Sequence, residues 1–220
     1  MTTDPRSDPG SHPSRKPGRD SGAGPRTHLT AVRRVRIVGV SGSGKTRLAG
    51  RVAAILRVPH LELDAVLWDA GWAYRDLDEA LRTVRTFADE SDASRGGWVA
   101  DGNWSSRMQG LLDPGTPGGA DVLVWLDHPR PLVTWQIVRR TVSRGLRRTE
   151  LWHGNRESPR SWLRLDPQEN VMRWAWVQHP LLRARMVAVL DADPDAPVIR
   201  LAGRRAVARW LRALAAAQPS

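Results

Sequence analysis

The sequence predicts an α/β fold in which a parallel β-sheet is covered by helices on both faces. Three observations predict it. Short runs of β-branched and apolar residues alternate with stretches whose apolar residues recur at helical spacing, the pattern that crossover connections between parallel strands produce. Three of the runs end on a carboxylate, at Asp64, Asp101 and Asp127, and ligands of such sheets gather at the carboxyl ends of the strands. The first run passes through a glycine-rich turn directly into a helix.

That first run holds Val35, Ile37, Val38 and Val40, the composition of a buried parallel strand. It is followed by Gly39-Val-Ser-Gly-Ser-Gly44-Lys45-Thr46, which satisfies G-x-x-x-x-G-K with a terminal Ser or Thr. Gly39, Gly42 and Gly44 let the backbone turn without Cβ clashes, so that amide groups around Ser41 and Ser43 converge on phosphate oxygens at a helix N-terminus. Lys45 is positioned to reach the β- and γ-phosphates of a nucleotide, and the Thr46 hydroxyl to ligate magnesium. The chain has 34 basic residues, of which only Lys16 and Lys45 are lysine. A compact ammonium at this one position suits a phosphate better than a flat guanidinium does. The helix continues through Leu48, Val52, Ile55 and Leu56, with Arg47, Arg51 and Arg57 outward, and Pro59 ends it.

His60 to Asp64 reads as a second short strand closing on a carboxylate, followed by a segment with Trp68, Gly71, Trp72 and Tyr74. Leu77, Ala80, Leu81, Val84 and Phe87 trace a helix capped by Asp76 or Asp78. Trp98 to Asp101 is a third strand, leading into the turn Gly102-Asn103-Trp104-Ser105, and Asp113 to Gly119 is an exposed turn cluster. Asp121 to Asp127 is the strongest strand pattern in the chain. Its terminal Asp127 has two readings, a carboxylate in the magnesium shell or a helix cap before His128-Pro129. A long helix then carries Leu132, Trp135, Val138, Val142 and Leu146 on one face and Arg140, Arg144, Arg147 and Arg148 on another. Like charges at that spacing repel unless an anion or water screens them. Thr149 to Ser161 reads as a mobile flap, and Asp166 to His179 and Leu181 to Leu190 as two helical pieces separated at Pro180. Val198 to Leu201 is a last strand and Arg204 to Ala216 a last amphipathic helix.

Composition narrows the classes of function. The absence of cysteine excludes disulfides and thiolate metal sites. No apolar run approaches the roughly 18 residues of a membrane span, and the first thirty residues lack a secretory hydrophobic segment, so a cytoplasmic protein without a membrane partner is expected. The net charge is +11. It is concentrated after the glycine turn, where residues 130–185 hold twelve arginines against four acids. Nucleic acid and the phosphates of a bound nucleotide are the two candidate partners for that charge. Residues 1–30, rich in Pro, Gly, Ser and Arg, are expected to be a disordered basic tail, and 31–217 one domain with a lid region at about 144–165.

The glycine turn, the His60-Leu-Glu-Leu-Asp64 strand with Trp68 and Gly71-Trp72 after it, the Asp101-Gly-Asn-Trp104-Ser105 turn, and the strand ending at Asp127 with Pro129 together carry a resemblance. From about Arg34 to Ala213 the chain resembles the adenylate-kinase-related P-loop proteins labelled DNA topology modulation proteins. The resemblance implies a P-loop NTPase three-layer sandwich of the nucleoside-monophosphate-kinase kind, with five parallel strands in the order 2-3-1-4-5 and ATP binding. Trp104 stands where that family usually has Tyr, which removes one hydroxyl.

The leading expectation is phosphoryl transfer from MgATP to a small acceptor, nucleoside monophosphate or other hydroxyl or phosphate metabolite. Asp64, taken as the end of the strand beside the loop, orients or deprotonates the acceptor or assists the metal; its alternative is a turn cap. Trp68 and Trp72 wall an acceptor pocket or belong to the core. Asp101, Gly102 and Asn103 present polar groups to the acceptor, with Arg107 clamping its anionic part, or form a tight turn and nothing more. Arg140, Arg144, Arg147, Arg148 and Arg156 are the lid candidates for stabilising the transferring group, led by Arg144 and Arg148. The alternative is a nucleic-acid-associated ATPase or regulatory ATP-binding protein gripping phosphates with the arginine-rich segment. A GTPase is disfavoured, because no Asn-Lys-x-Asp base reader is present.

Overall fold

The computed structural model describes residues 29–147, 149–156 and 170–219. Residues 1–28 of the tail expected at 1–30, and Arg148 and residues 157–165 of the lid expected at about 144–165, lie outside these residues. The apolar runs form five strands: β1 (Arg34–Val38), β2 (His60–Glu62), β3 (Trp98–Asp101), β4 (Val122–Leu126) and β5 (Val198–Leu201). All neighbouring pairs are parallel and the order is β2-β3-β1-β4-β5, as expected from the sequence. The order follows from burial. The wholly buried β3 and β4 and the nearly buried β1 flank one another, whereas the three-residue β2 and the partly exposed β5 take the edges.

Helices cover both faces: α1 (Lys45–Leu56), α2 (Leu63–Leu67), α3 (Leu77–Arg95), α4 (Arg130–Arg147), α5 (Val171–Ala192) and α6 (Gly203–Ala216). The two-residue period of β1 decides which core each side chain joins. Val35 and Ile37 pack with Val52, Leu56, Trp210 and Leu214 of α1 and α6. Val38 joins Leu123, Trp125 and Met186 beneath α5. A third cluster holds Leu63, Leu67, Leu81, Val84 and Trp98 under α2 and α3. The Asp76 side chain accepts from the Glu79 amide and caps α3. Among the described residues, no helix is long and apolar enough to cross a membrane.

Two local expectations are corrected. The chain does not break at Pro180, and α5 runs through it. Proline removes the amide that would bond the carbonyl four residues earlier, but that carbonyl, on Trp176, accepts from Arg130 Nη2 at 2.7 Å instead. The same guanidinium lies 3.6 Å from the centre of the Trp176 ring, a cation–π contact that fixes it in place. The second strand is also shorter than expected. It stops at Glu62, and Asp64 sits in the first turn of α2, not at a strand end.

Leu214 is fully buried between α1 and α6. Leu214→Ala is expected to cost about 2–5 kcal/mol, read as a fall in the urea midpoint with an unchanged denaturant slope.

Candidate active site

The loop between β1 and α1 is shaped by contacts that only glycine permits. Gly44 caps α1 with φ 91°, in the left-handed region. Gly42 has φ 86°, and a Cβ there would stand 2.9 Å from Ile137 Cβ and 3.1 Å from the Val133 carbonyl oxygen. Helix α4 therefore presses on the loop. The Gln136 amide, oriented to satisfy both neighbours, donates to the Gly42 carbonyl at 2.6 Å and accepts from Arg204 Nη2 at 3.2 Å. Inside the loop the Ser43 amide bonds the Val40 carbonyl at 3.0 Å. The Ser43 hydroxyl is buried with no hydrogen-bond partner among the described residues, a state that ordinarily costs about 1–3 kcal/mol and that an oxyanion would relieve.

Lys45 opens α1. Desolvation, ahead of every other influence, lowers its ammonium below the ordinary lysine range; Asp64 and Asp101 oppose the shift, while Arg140 and Arg36 add to it. Arg140 of α4 thus acts through its charge on the loop lysine. Arg144 lies in the last turn of α4, where its carbonyl accepts from the Thr149 amide at 3.0 Å.

The carboxylate that meets the loop comes from β3. Because β3 is the direct neighbour of β1, with Asp101 level with Ile37, its end stands beside the start of α1. Asp101 is buried, its Oδ2 accepts from Thr46 Oγ1 at 2.9 Å, and its Oδ1 accepts from His60 Nε2 at 2.8 Å. The edge strand β2 is one strand further away, so Asp64 is not at the end of the strand beside the loop. Its Oδ1 instead accepts from Trp104 Nε1 at 2.5 Å. The indole N–H thus holds the Asp64 carboxylate in place. Glu62 lies level with Asp101, and burial first, then the Asp101 charge, raises its carboxyl above the ordinary value, with His60 and the Trp152 side chain opposing.

Gly102 (φ 135°) and Asn103 serve the scaffold. A Cβ on Gly102 would meet Trp104 Cδ1 at 3.0 Å and Leu63 Cβ at 3.1 Å. The Asn103 amide is spent on the loop itself, accepting from the Gly39 amide at 3.0 Å and donating to the Gly39 carbonyl at 2.7 Å. Trp68, Trp72, Tyr74 and Trp104 form one aromatic ledge, with Trp68 stacked on Tyr74 at 4.4 Å and edge-on to Trp72 at 5.8 Å and Trp104 at 5.7 Å. Trp72 and Tyr74 are exposed, and the Arg107 guanidinium covers the Tyr74 ring at 4.4 Å.

The described part of the segment expected to be a flap is pinned to this ledge. Asn155 accepts from the Trp72 amide at 3.1 Å and donates to the Asp69 carbonyl at 2.8 Å, and the His153 ring bonds the Ala65 carbonyl at 2.9 Å. Asp127 does not face the loop hydroxyl. Its carboxylate is bound by Arg200, with Nε at 2.8 Å, and lies 3.7 Å from Arg183. The two residues assigned together to magnesium, Thr46 and Asp127, therefore have different partners.

Three features went unread in the sequence. His60 becomes interesting only once the β2–β3 register is known. A cleft of ≈ 700 Å³ opens from Ser43 and Gly44, is lined by Arg47, Trp135, Arg139, Arg140 and Arg204, among others, and emerges only once α1, α4 and α6 are brought together. Arg36 did leave a signal, an arginine inside a β-branched strand. It is buried, none of its three nitrogens has a hydrogen-bond partner among the described residues, and its Nε lies 3.8 Å from Asp113.

No family model matches the chain, and no curated protein matches it. Solved structures similar to it include a sugar kinase from Janibacter sp. HTCC2649, at 20% identity and TM-score 0.44, covering 86% of this chain and 99% of that one. A gluconokinase from Sinorhizobium meliloti 1021 shows 17% identity and TM-score 0.44, covering 84% and 90%. Shikimate kinase from Acinetobacter baumannii, in complex with shikimate, shows 15% identity and TM-score 0.47, covering 84% and 92%. The fold assignment rests on the strand order and helix placement described above.

Removing the Asn103 brace should loosen the loop. Asn103→Ala deletes two hydrogen bonds and is expected to lower unfolding stability by about 1–3 kcal/mol, read as a fall in the urea midpoint.

Proposed function

We propose that this chain is an ATP-dependent phosphotransferase, moving the γ-phosphoryl group to a small hydroxyl- or phosphate-bearing acceptor. On this reading it is a member of the adenylate-kinase-related group labelled DNA topology modulation proteins. One observation carries the reading: the hydroxyl that follows the loop lysine is bonded to a buried carboxylate from the adjacent strand, Thr46 Oγ1 to Asp101 Oδ2.

The donor phosphates enter the loop, where backbone amides, the α1 N-terminus and the Lys45 ammonium bind them. The buried Ser43 hydroxyl gains the partner it lacks. The base extends into the arginine-lined cleft, where the half-exposed Trp135 offers a stacking face beside Arg139. Thr46 and Asp101 fit a hard cation such as magnesium, which takes one or two protein oxygens and completes its shell with phosphates and water. When bound, magnesium supplies neutralisation of charge on the transferring group. Asp101 is thereby assigned the role expected of Asp127, whose charge is already balanced by arginine.

On the acceptor side, Asp64 is oriented by the Trp104 N–H and holds the acceptor hydroxyl in line. The exposed edges of Trp72 and Tyr74 form the wall, and Arg107 lies over it. Arg140, near enough to Lys45 to influence it, stabilises charge on the transferring phosphoryl group. The arginines that line the cleft account for part of the chain's basic excess through a nucleotide's own phosphates, without a nucleic acid.

The reading is tested by incubating γ-labelled ATP with a panel of nucleoside monophosphates and small hydroxyl metabolites. Label should appear on an acceptor, fall by at least about 100-fold in Lys45→Ala and Asp101→Asn, given that groups acting on developing charge supply about 10²–10³, and survive in Asp127→Asn. Transfer to no acceptor, combined with salt-sensitive duplex DNA binding, would favour the nucleic-acid ATPase instead.

The base site has its own test. Trp135→Ala should weaken ATP binding by about 5- to 10-fold, as expected for loss of a stacking contact worth about 1–1.5 kcal/mol, while leaving tripolyphosphate binding unchanged in the same calorimeter.

A further inference from the structure

His60 opens β2 and has no part in the proposed chemistry, yet it is bonded to the carboxylate on which the loop hydroxyl depends. The register explains how. His60 is level with Val99, two residues before Asp101, so the two side chains lie on the same face of the sheet, the face that α1 covers. Asp101 is buried, and its two oxygens are divided between two donors, His60 Nε2 at 2.8 Å and Thr46 Oγ1 at 2.9 Å. An ionised carboxylate only accepts, so the hydrogen in the His60 bond is on Nε2.

We infer that His60 is a positioning residue for the cation site: by holding Asp101 Oδ1 it turns Oδ2 toward Thr46 and so directs the Thr46 lone pairs to the loop. The inference rests on the phosphotransferase reading and deepens it. Thr46 has one hydroxyl proton. Spent on Asp101, it leaves the oxygen to face the phosphates as a neutral acceptor, the form a hard cation binds. Without His60, Asp101 Oδ1 faces a level neighbour of the same sign, Glu62, and a cation across the site, Lys45. The carboxylate then swings toward the ammonium, and Thr46 loses the group that orients it. Partners that orient ligands in this way typically change metal affinity by about 10- to 100-fold when removed.

The test uses the full chain as wild type, His60→Gln, His60→Asn and His60→Leu. ATP affinity is measured by calorimetry in EDTA and across a magnesium series, with melting temperatures recorded alongside. A Gln amide reaches the place of Nε2 and an Asn amide does not. The expected result is that His60→Leu and His60→Asn need about tenfold more magnesium for the half-maximal gain in ATP affinity. His60→Gln should stay within about threefold of wild type, and ATP affinity in EDTA should be unchanged throughout. Should His60→Leu not fold, the contrast between Gln and Asn decides alone. Equal magnesium dependence in all variants overturns the inference, as does an equal loss of ATP affinity in EDTA, which would mark His60 as merely structural. A wild type whose ATP affinity gains nothing from magnesium overturns the phosphotransferase reading itself, an outcome separable from the other two.

Discussion

The hydrogen bond between Thr46 and Asp101 joins two segments that are 55 residues apart, and the candidate site depends on it. It exists because β3 inserts between β2 and β1, which places the end of β3 beside the start of α1. Around that bond the other contacts have a consistent direction. Asn103, two residues past Asp101, grips the first glycine of the loop by both its amide and its carbonyl. His60 holds the far oxygen of Asp101. The loop is thus braced from the β3 side by hydrogen bonds and pressed from the α4 side by Ile137 and Val133 against Gly42. A phosphate loop must present its amides without rearranging when the anion arrives, and bracing on two sides is how a glycine-rich turn achieves that.

Charge is divided into separate neighbourhoods. At the carboxyl ends of β2 and β3, the charges of Asp64 and Asp101 act on Lys45 and the buried Arg36, so acids and bases offset one another in a poorly solvated place. At the end of β4, Asp127 is matched by Arg200 and Arg183. In the cleft beside α1, arginines gather from α1, α4 and α6. A negatively charged ligand lowers the mutual repulsion of such a group, which gives the cleft a reason to be filled that the carboxylate neighbourhood lacks.

Much of this architecture was legible in the sequence, and the misses share one cause. Strand runs, the glycine turn and the Asp76 cap are local, and they were readable because period and spacing are local properties. The adjacency of strands is not local. The carboxylates of Asp64, Asp101 and Asp127 look equivalent in sequence, each closing an apolar run; the strand order sets Asp64 one strand away from β1, and Arg200 and Arg183 claim Asp127, which leaves Asp101 beside the loop. Asn103 looked like a group aimed at a ligand, because its partner Gly39 lies 64 residues earlier. Pro180 looked like a break, because the arginine that satisfies the orphaned Trp176 carbonyl lies 46 residues before it. The aromatic residues from Trp68 to Tyr74 were recognisable as a group, but their tether at Asn155 was not.

That tether is made to main-chain atoms. Asn155 accepts from the amide of Trp72 and donates to the carbonyl of Asp69, so it recognises the path of the backbone and is indifferent to which side chains the backbone carries. The tether itself therefore makes no demand on the side chains of residues 69 and 72, which answer to the Arg75 ion pair and the ledge instead, while an insertion or deletion between them would pull the two anchor points out of step. Diversification of the ledge should accordingly proceed by exchange of ring types on a conserved spacing, with the asparagine held fixed as the gauge of its length.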